Sequence, residues 1–471
     1  MFQMQLLRDD HVEPLGEAVC AVLEQTGVLI QQDELLQALD RLGARVDFAS
    51  QRARFPAAMT REYVTGFRQQ YDGVLRDHFA PPPPPALDLQ VAQYYYDWPT
   101  RSKRSGNRED FIKLIKLGEV LHGDTGVGHC LLDAQAPPLL EPLYAALTLA
   151  EFANRPRWVY PMRADQRPYI EEMGAILGAD DDFCCWTALC FAHPLRFDRE
   201  PADRLVAQAR AGVPVGLVAM PVAGITTPVT VEGFIAVAAA EVVAGWICGR
   251  AINPEVPLGG SMWAATVDMR TGQPSYSAPD AMYMAFAVCE FLRRWTGFPF
   301  PPGAGEYCDS TQPGLYAVME KAYKAMMVAA FTGYHPGLGQ GMLDCGKTLA
   351  PVQLLLERDF AAGLTLHAQE VVPDPERIAL PAIAEVDLGL EANFLQSEHT
   401  FQHFRQSAWL PELFPRAGWT GAADEEAVLD RAQARFEDLL GEYRKPEGRE
   451  GQLAAMRRVL ERAAKDFGVS L

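Results

Sequence analysis

The chain has 471 residues, of which 49% are hydrophobic and 22% charged, as in folded globular proteins, and this excludes disorder and fibrous structure. Its 42 basic and 61 acidic side chains give a formal net charge of −19, which argues against binding to nucleic acid or to an anionic membrane. The nine cysteines are scattered and odd in number, so they predict reduced thiols in a cytoplasmic protein rather than a disulfide framework.

Residues 1–86 are predicted to form a helical arm followed by a stiff spacer. Apolar residues recur at helical spacing over 11–27, and two further helices are expected over 33–42 and 56–70. Five consecutive prolines at 81–85 exclude helix and central strand, and they favour a polyproline II spacer. We therefore expect a domain boundary at the end of this spacer.

Residues 87–390 alternate between amphipathic helical patterns and short β-like runs. Helices are expected over 109–121, 139–153, 165–177, 198–211, 231–249, 281–295, 314–333 and 350–363. The β-like runs are 126–132, 158–162, 184–191, 214–220, 255–263, 298–303 and 337–343. This alternation predicts an α/β fold with a parallel sheet, and seven or eight such units favour a (β/α)8 TIM barrel. No GxGxxG after a strand and no P-loop is present, which excludes the two commonest nucleotide-binding folds.

Membrane insertion is not expected from the sequence. Residues 1–10 lack an apolar stretch of signal-peptide length, and the most apolar run, 233–240, is too short to cross a bilayer. Residues 391–471 are predicted to be an aromatic, histidine-rich connector followed by charged helices over 423–441 and 447–467. The aromatic connector could bury a subunit contact, so a homo-oligomer is expected.

Several segments, in chain order, resemble the trimethylamine methyltransferase family. They are LEQTGV at 23–28, MPVAGITTPVT at 220–230, GSMWAATVDMRTG at 260–272, GMLD at 341–344 with Leu356-Glu357, and NFLQSEHT at 393–400 with Phe404-Arg405. The resemblance covers nearly the whole chain. Because every position carries a standard residue, it points to the members that lack pyrrolysine and demethylate quaternary amines such as glycine betaine.

The resemblance implies a TIM barrel that holds a methylated amine beneath a separately folded corrinoid protein. The Co(I) of that partner takes the methyl group, so this chain is expected to hold neither a tightly bound cofactor nor a metal. A quaternary ammonium leaves as a neutral amine without a proton, and the enzyme's task is then orientation of the methyl carbon. The substrate cation needs aromatic faces, and a betaine carboxylate needs cationic or N–H donors.

Candidate site residues are those expected at strand carboxyl ends and in the following loops of a barrel. The substrate-binding candidates are Tyr96, Trp186, Phe191, His193, Trp263, Arg270, Tyr307, Tyr334 and Gln340. The catalytic candidates are Asp309 and His335.

Each candidate also has a structural interpretation that the sequence leaves open. The aromatic residues could simply pack, and the run Tyr94–Tyr96 could be a strand or loop that packs against the arm. Arg270 could bridge to Asp268, Asp309 could cap the next helix, and His335 could be an ordinary loop residue before Pro336.

Alternative functions also remain open at this point. The cysteines of 184–190 and His193 could bind zinc, although alternation along a strand sends them to opposite faces and free cysteine is common in protein cores. The chain could instead be a betaine-binding barrel without turnover or a metal-dependent barrel enzyme, but no HxH spacing supports the latter.

Overall fold

The structure is a computed structural model of the full chain. It describes residues 5–71, 87, 90–122, 125–186, 188–303, 307–332, 338–364, 366, 373–388, 390–416 and 418–471. The five-proline spacer predicted at 81–85 lies outside these residues, as do Tyr334 and His335.

The described residues form a mixed α/β fold in which helices predominate. The α-helices are α1 (Asp9–Ala21), α2 (Asp33–Arg41), α3 (Ala57–Tyr71), α4 (Arg108–His122), α5 (Glu141–Phe152), α6 (Arg167–Leu177), α7 (Arg199–Ala211), α8 (Val231–Ile252), α9 (Pro279–Thr296), α10 (Leu315–Thr332), α11 (Pro351–Leu364), α12 (Pro375–Ile378), α13 (Leu380–Val386), α14 (Glu398–Ser407), α15 (Ala422–Glu442) and α16 (Glu450–Phe467). The strands are β1 (Val28–Ile30), β2 (Arg45–Asp47), β3 (Arg52–Arg54), β4 (Tyr94–Asp97), β5 (Ser102–Ser105), β6 (Leu189–Cys190), β7 (Arg196–Phe197), β8 (Val215–Ala219), β9 (Val222–Ala223), β10 (Leu258–Met262), β11 (Ala265–Val267), β12 (Pro274–Ser275), β13 (Met342–Leu343) and β14 (Thr348–Leu349).

The helices predicted from apolar periodicity are confirmed within a few residues at either end. Side-chain caps define the first residues of two of these helices. The Thr230 hydroxyl accepts the Gly233 backbone N–H at the start of α8, and the Asn107 side-chain oxygen accepts the Asp110 backbone N–H at the start of α4. Left-handed glycines at 178, 212 and 297 end α6, α7 and α9.

Parallel pairing joins the strands in the central part of the chain. Within the described residues the pairs are gathered into small sheets rather than one closed sheet. The parallel pairs and bridges are Ala92–Leu131, Val127–Pro156, Val159–Cys184, β6–β8, β8–β10, β9–β11, Met262–Pro302, β14–β4 and β1–β7. The prediction of an α/β fold with parallel strands is therefore confirmed.

Two large hydrophobic cores cross the divisions suggested by the sequence. One core joins α1–α3 and β1 to the strands and helices of residues 189–300. The other joins residues 87–184 and 308–364 to the C-terminal helices α15 and α16. The ends of the chain are thus packed into the fold, and burial of their apolar faces contributes to the stability of the whole.

Helix α8 is 22 residues long and apolar enough, by length and composition alone, to cross a membrane. In the fold, however, 78% of its most apolar window is buried, as in the core helix of a soluble protein. Its small residues explain this position, because a Cβ at Gly245 would meet the side chains of Leu217 and Phe191.

Several elements were not predicted. The antiparallel strands β1, β2 and β3 and the β4–β5 hairpin show no clear alternation of polar and apolar residues. Each of these strands is only three or four residues long. Tyr95 and Tyr96 are buried in β4, so the run does pack, but it packs in the core that contains α15 and α16 and not against the arm helices α1–α3. Short helices α12–α14 lie before and within the segment that was expected to be a connector.

Candidate functional site

A small pocket with aromatic walls lies where β10 ends and the chain turns into the following loop. It is lined by Met262, Trp263, Ala264, Tyr276, Met282, Ala285, Gly303, Tyr307 and Lys324. The ring centroids of Trp263 and Tyr307 are 4.4 Å apart, and those of Tyr276 and Tyr307 are 6.0 Å apart. Both pairs meet edge to face, so ring faces remain directed toward other neighbours. The pocket brings together two sequence candidates, Trp263 and Tyr307.

The indole of Trp263 is held from two sides. Its Nε1–H donates to the Ser261 hydroxyl at 2.8 Å. Met262 bridges in parallel to Pro302, which brings Gly303 against the indole, and a Cβ at Gly303 would overlap the indole ring. A glycine at this position is therefore required for the observed orientation of Trp263.

The phenol of Tyr307 is positioned by a second close approach to a glycine. Gly346, at a φ of +79°, leaves no space for a Cβ beside the Tyr307 ring. Burial raises the pKa of Tyr307 to about 12, and it raises the pKa of Tyr276 to about 12 as well. Both phenols are therefore neutral at physiological pH and present uncharged aromatic surfaces.

Asp309 anchors the loop that carries Tyr276. Its Oδ1 accepts the Tyr276 backbone N–H at 3.0 Å, and its Oδ2 accepts the hydroxyl of Ser275. The Cys345 thiol also lies 3.5 Å from Oδ1, and burial raises the pKa of this thiol to about 12. Asp309 does not cap α10, which starts at Leu315, so the capping interpretation is not supported. Its observed contacts position the pocket wall.

Lys324 is the charged residue among the described residues that line the pocket, and the sequence did not single it out. Its side chain projects from α10 and the residue is 2% exposed. Its Nζ donates to the Tyr307 backbone carbonyl at 2.6 Å. Among the described residues, no carboxylate lies within ion-pair distance of this nitrogen. Burial lowers the pKa of Lys324 to about 8, although Asp309 acts in the opposite direction.

The pocket volume is about 10 Å³, enough for about one water molecule. A trimethylammonium group is larger than this. Occupation by such a group therefore requires the lining side chains to move apart. Met262 and Met282 are unbranched and adapt to such a change more readily than branched side chains.

Trp186 and Phe191 lie outside this pocket and have other partners. The guanidinium of Arg167 lies 3.4 Å from the Trp186 ring centroid, so one indole face is already covered by an internal cation. Phe191 is buried and packs edge to face on Phe197 with centroids 4.3 Å apart. These contacts support packing roles and do not place either ring beside Trp263.

His193 is fully engaged in a buried structural contact. Its Nε2 accepts the Met220 backbone N–H at 2.9 Å, so its Nδ1 carries the hydrogen and donates to Glu241 at 2.8 Å. Glu241 also accepts the backbone N–H of Leu195 at 2.6 Å. His193 thereby connects α8 to the turn after β8, with no ring nitrogen left to bind a substrate.

The remaining candidates are dispersed. The Arg270 side chain is 91% exposed and pairs with Asp268 at 3.1 Å, as the structural interpretation expected. Tyr96 is buried in β4, and Gln340 lies just before β13. None of these three residues lines the pocket around Trp263.

A buried ion pair fixes the helix that carries Lys324. Lys321 and Glu357 are both 0% exposed, and the Lys321 Nζ lies 2.6 Å from Glu357 Oε1. Glu357 also accepts hydrogen bonds from Gln353 Nε2 at 2.9 Å and from the Gly341 backbone at 2.8 Å. The network ties α10 to α11 and to the segment entering β13.

Among the residues that the structure describes, no group of three or more His, Cys, Asp or Glu side chains is arranged to hold a metal ion. In the segment considered for zinc, Cys184 and Cys185 are buried, Cys190 is exposed, and His193 has both nitrogens hydrogen-bonded.

Comparison with known proteins places the chain in a family. The sequence model of the trimethylamine methyltransferase (MTTB) family matches residues 1–468. The chain therefore belongs to this family and is a methyltransferase. The resemblance recognised in the sequence is confirmed.

Curated relatives span both amine and betaine enzymes. The chain is 23% identical over 492 residues to trimethylamine methyltransferase MttB of Desulfitobacterium hafniense (strain DSM 10664 / DCB-2), covering 98% of this chain and 94% of the relative. It is 24% identical over 466 residues to glycine betaine methyltransferase of Desulfitobacterium hafniense (strain Y51), covering 94% and 93%. It is 25% identical over 281 residues to trimethylamine methyltransferase MttB2 of Methanosarcina mazei, covering 59% and 56%.

Proposed function

We propose that this methyltransferase takes a methyl group from a quaternary amine of the glycine betaine type and delivers it to the Co(I) of a separate corrinoid protein. The observation that carries the proposal is the pocket formed by Trp263, Tyr276 and Tyr307, because neutral aromatic faces attract a quaternary ammonium without neutralising it. The similarity to a glycine betaine methyltransferase supports the same substrate class.

The proposed demethylation needs no general acid to protonate the leaving amine. The carbon–nitrogen bond breaks, its electron pair stays on the departing tertiary amine, and the amine leaves neutral without receiving a proton. The corrinoid partner supplies the nucleophile. This chain's residues then have to bind the ammonium, direct one methyl carbon outward and exclude water.

We infer that the parallel strand segments close into a (β/α)8 barrel. In support, parallel bridges join Ala92 to Leu131, Val127 to Pro156 and Val159 to Cys184. Strand β6 then pairs with β8 and β8 with β10, and Met262 at the end of β10 bridges to Pro302. Strand β14 pairs in parallel with β4, at the start of the series. The Cys345 N–H donates to the Cys308 carbonyl at 2.8 Å, which links the last two segments of the ring. The aromatic pocket would then lie at the carboxyl ends of the strands, where barrel enzymes hold their substrates.

Within this proposal Asp309 is a positioning residue, because it accepts the backbone N–H of Tyr276 in the pocket wall. His335 remains a proposed catalytic residue on sequence grounds alone. The divisions at residues 86 and 390 also remain proposals. A cytoplasmic location is proposed from the reduced cysteines and the buried α8.

We also propose that the chain forms a homo-oligomer through its C-terminal connector. Large apolar side chains are concentrated on the outside of this region, and their exposed fractions are 66% for Leu380, 87% for Leu395, 70% for Phe401 and 62% for Trp419. Neighbouring residues of α10 and α15 line an apolar groove of about 530 Å³. A second copy of the chain would remove this surface from water.

Methyl transfer to reduced cobalamin tests the proposed function. The purified protein is incubated with glycine betaine and free Co(I) cobalamin or a reduced corrinoid protein, and methylcobalamin is followed by its absorbance together with dimethylglycine by mass spectrometry. We expect equal amounts of both products. At subsaturating betaine both should form more slowly in Trp263→Leu and at the wild-type rate in the exposed control Phe48→Leu. Saturable betaine binding without either product would identify a binding protein instead.

A further inference from the structure

The charge balance of the aromatic pocket is unusual for a site that takes a cation. Lys324 lines the same pocket as Trp263 and Tyr276, and it is almost completely buried. An ammonium inside the pocket repels a substrate that carries only positive charge. The same lysine ammonium attracts the anionic group of a substrate that carries both a positive and a negative charge.

Among the residues that the structure describes, Lys324 has no carboxylate as an ion-pair partner. Its amino group has three N–H donors when protonated, and the hydrogen bond to the Tyr307 carbonyl uses one. Asp309, which acts electrostatically on Lys324, has both oxygens committed to Ser275 and Tyr276. Lys321, one turn earlier on α10, differs in this respect because Glu357 neutralises it.

We propose that Lys324 is a specificity-determining residue that binds the carboxylate of a zwitterionic substrate while Trp263, Tyr276 and Tyr307 enclose its quaternary ammonium. This inference rests on the proposed function. The backbone carbonyl of Tyr307 orients the Lys324 amino group. The remaining N–H groups of Lys324 are directed to the substrate carboxylate. Betaines are therefore selected over choline and tetramethylammonium, which have an ammonium but no anion.

The geometry also explains why the lysine is buried rather than at the rim. The Coulomb attraction between two opposite charges is larger where they are shielded from water, and truncation of one partner leaves the other buried and unpaired. The pocket therefore rejects an uncompensated cation as well as recognising the carboxylate. The lowered pKa of the free amine is the expected consequence of a buried ammonium awaiting an anion.

Calorimetric titration with glycine betaine and choline tests the inference in the full-length protein. Lys324→Met removes the charge with little change in volume, Lys324→Arg keeps it, and Lys347→Met removes an exposed lysine 55% accessible to solvent. We expect wild type to prefer betaine. Lys324→Met should weaken betaine binding by about 10- to 100-fold and leave choline binding equal or tighter. Lys324→Arg should keep part of the preference for betaine, and Lys347→Met should match wild type.

The outcomes separate this inference from the function on which it rests. If choline and betaine lose affinity equally in Lys324→Met, or if wild type binds both alike, the role of Lys324 is wrong while the quaternary-amine site stands. If wild type binds neither compound, the proposed substrate class fails and the inference fails with it. Thermal unfolding of each variant distinguishes a folding defect, which would lower binding of both ligands together.

Discussion

The carboxylate of Asp309 and the backbone of Tyr276 are joined by a hydrogen bond of 3.0 Å. This contact connects the loop after β12 to the segment that follows Gly303 and Tyr307, so two walls of the pocket depend on one side chain. In the proposed reaction, which needs no general acid, this carboxylate would act by positioning the pocket walls.

Substitution of Asp309 should distinguish positioning from acid–base catalysis. Asp309→Asn keeps an oxygen acceptor for the Tyr276 N–H, so we expect a raised KM for betaine with kcat changed severalfold at most. Asp309→Ala loses both acceptors and should also lower the free energy of unfolding by about 1–3 kcal/mol. Steady-state kinetics and urea unfolding measure these effects. A kcat that collapses in Asp309→Asn at unchanged KM would instead indicate direct catalysis.

Gly303 should be essential for the indole orientation. Gly303→Ala places a methyl group where the Trp263 ring lies, so the ring must move and betaine affinity should fall at least tenfold. Gly66→Ala is the matched control, because its Cβ meets no atom within 4 Å and the helix should gain about 0.5–1 kcal/mol. Titration and the Trp fluorescence spectrum report both changes. Unaltered binding in Gly303→Ala would mean that Trp263 does not form the site.

The buried pair of Lys321 and Glu357 should behave as a unit. Lys321→Met leaves Glu357 buried without its ammonium, and we expect a loss of about 3–5 kcal/mol in the free energy of unfolding. Adding Glu357→Gln removes the orphaned charge and should restore part of that loss. Guanidinium unfolding of the two single variants and the double variant gives the coupling. Simple additivity of the two single losses would contradict the pair described here.

Betaine binding should depend on pH through Lys324. The pKa of this amine in the free protein is lowered to about 8, and pairing with a carboxylate raises it in the complex. Binding is therefore strongest below about pH 8 and should weaken as pH rises, by up to about tenfold per pH unit.

Among the residues that the structure describes, the phenols, thiols and charged groups named next do not account for such a change. Burial raises the pKa of each nearby phenol and thiol, Tyr276, Tyr307, Cys308 and Cys345, to about 12. Asp309 is held by hydrogen-bond donors, and Lys321 is paired with Glu357. Calorimetry from pH 6.5 to 9.5, repeated with Lys324→Met, provides the measurement. A pH-dependent decline that persists in the variant would assign the titration to another group.

Oligomerisation should depend on the exposed apolar connector. Leu395 is 87% exposed and Phe401 is 70% exposed, so Leu395→Asp with Phe401→Asp should not disturb the core. We expect sedimentation to give a smaller species for the double variant than for wild type, with unchanged thermal stability of the subunit fold. A wild-type monomer, or an unchanged assembly in the variant, would exclude the proposed contact.

Local patterns were sufficient to predict most helices and the parallel α/β class. Apolar periodicity identified α8 and α9. In contrast, β5 was missed and Tyr94–Tyr96 could be assigned only to a strand or a loop, because short paired strands leave little periodic signal. In the candidate site, the search for aromatic residues near strand ends led to Trp263 and Tyr307, which the structure brings into one pocket. The structural contact of His193 could not be predicted, because its partner Glu241 is 48 residues away and the sequence carries no pairing signal over that separation.

The charged residues of α10 show why Lys324 was missed. The motif Glu320-Lys321 followed by Lys324 has the pattern of a solvated helical face, yet all three side chains are buried. Their partners are the Ser310 backbone, Glu357 and the Tyr307 carbonyl, which come from other parts of the chain. Only the folded arrangement identifies this face as the one that meets the pocket.

The most direct test of the central claim compares glycine betaine with 3,3-dimethylbutyrate, in which carbon replaces the ammonium nitrogen. Shape and carboxylate are kept, so only the cation is removed. We predict saturable binding of betaine, little binding of the isostere, and a roughly 2- to 30-fold loss of betaine affinity in Trp263→Leu. Equal binding of the two compounds, or unchanged affinity in Trp263→Leu, would contradict a quaternary-ammonium site at this pocket.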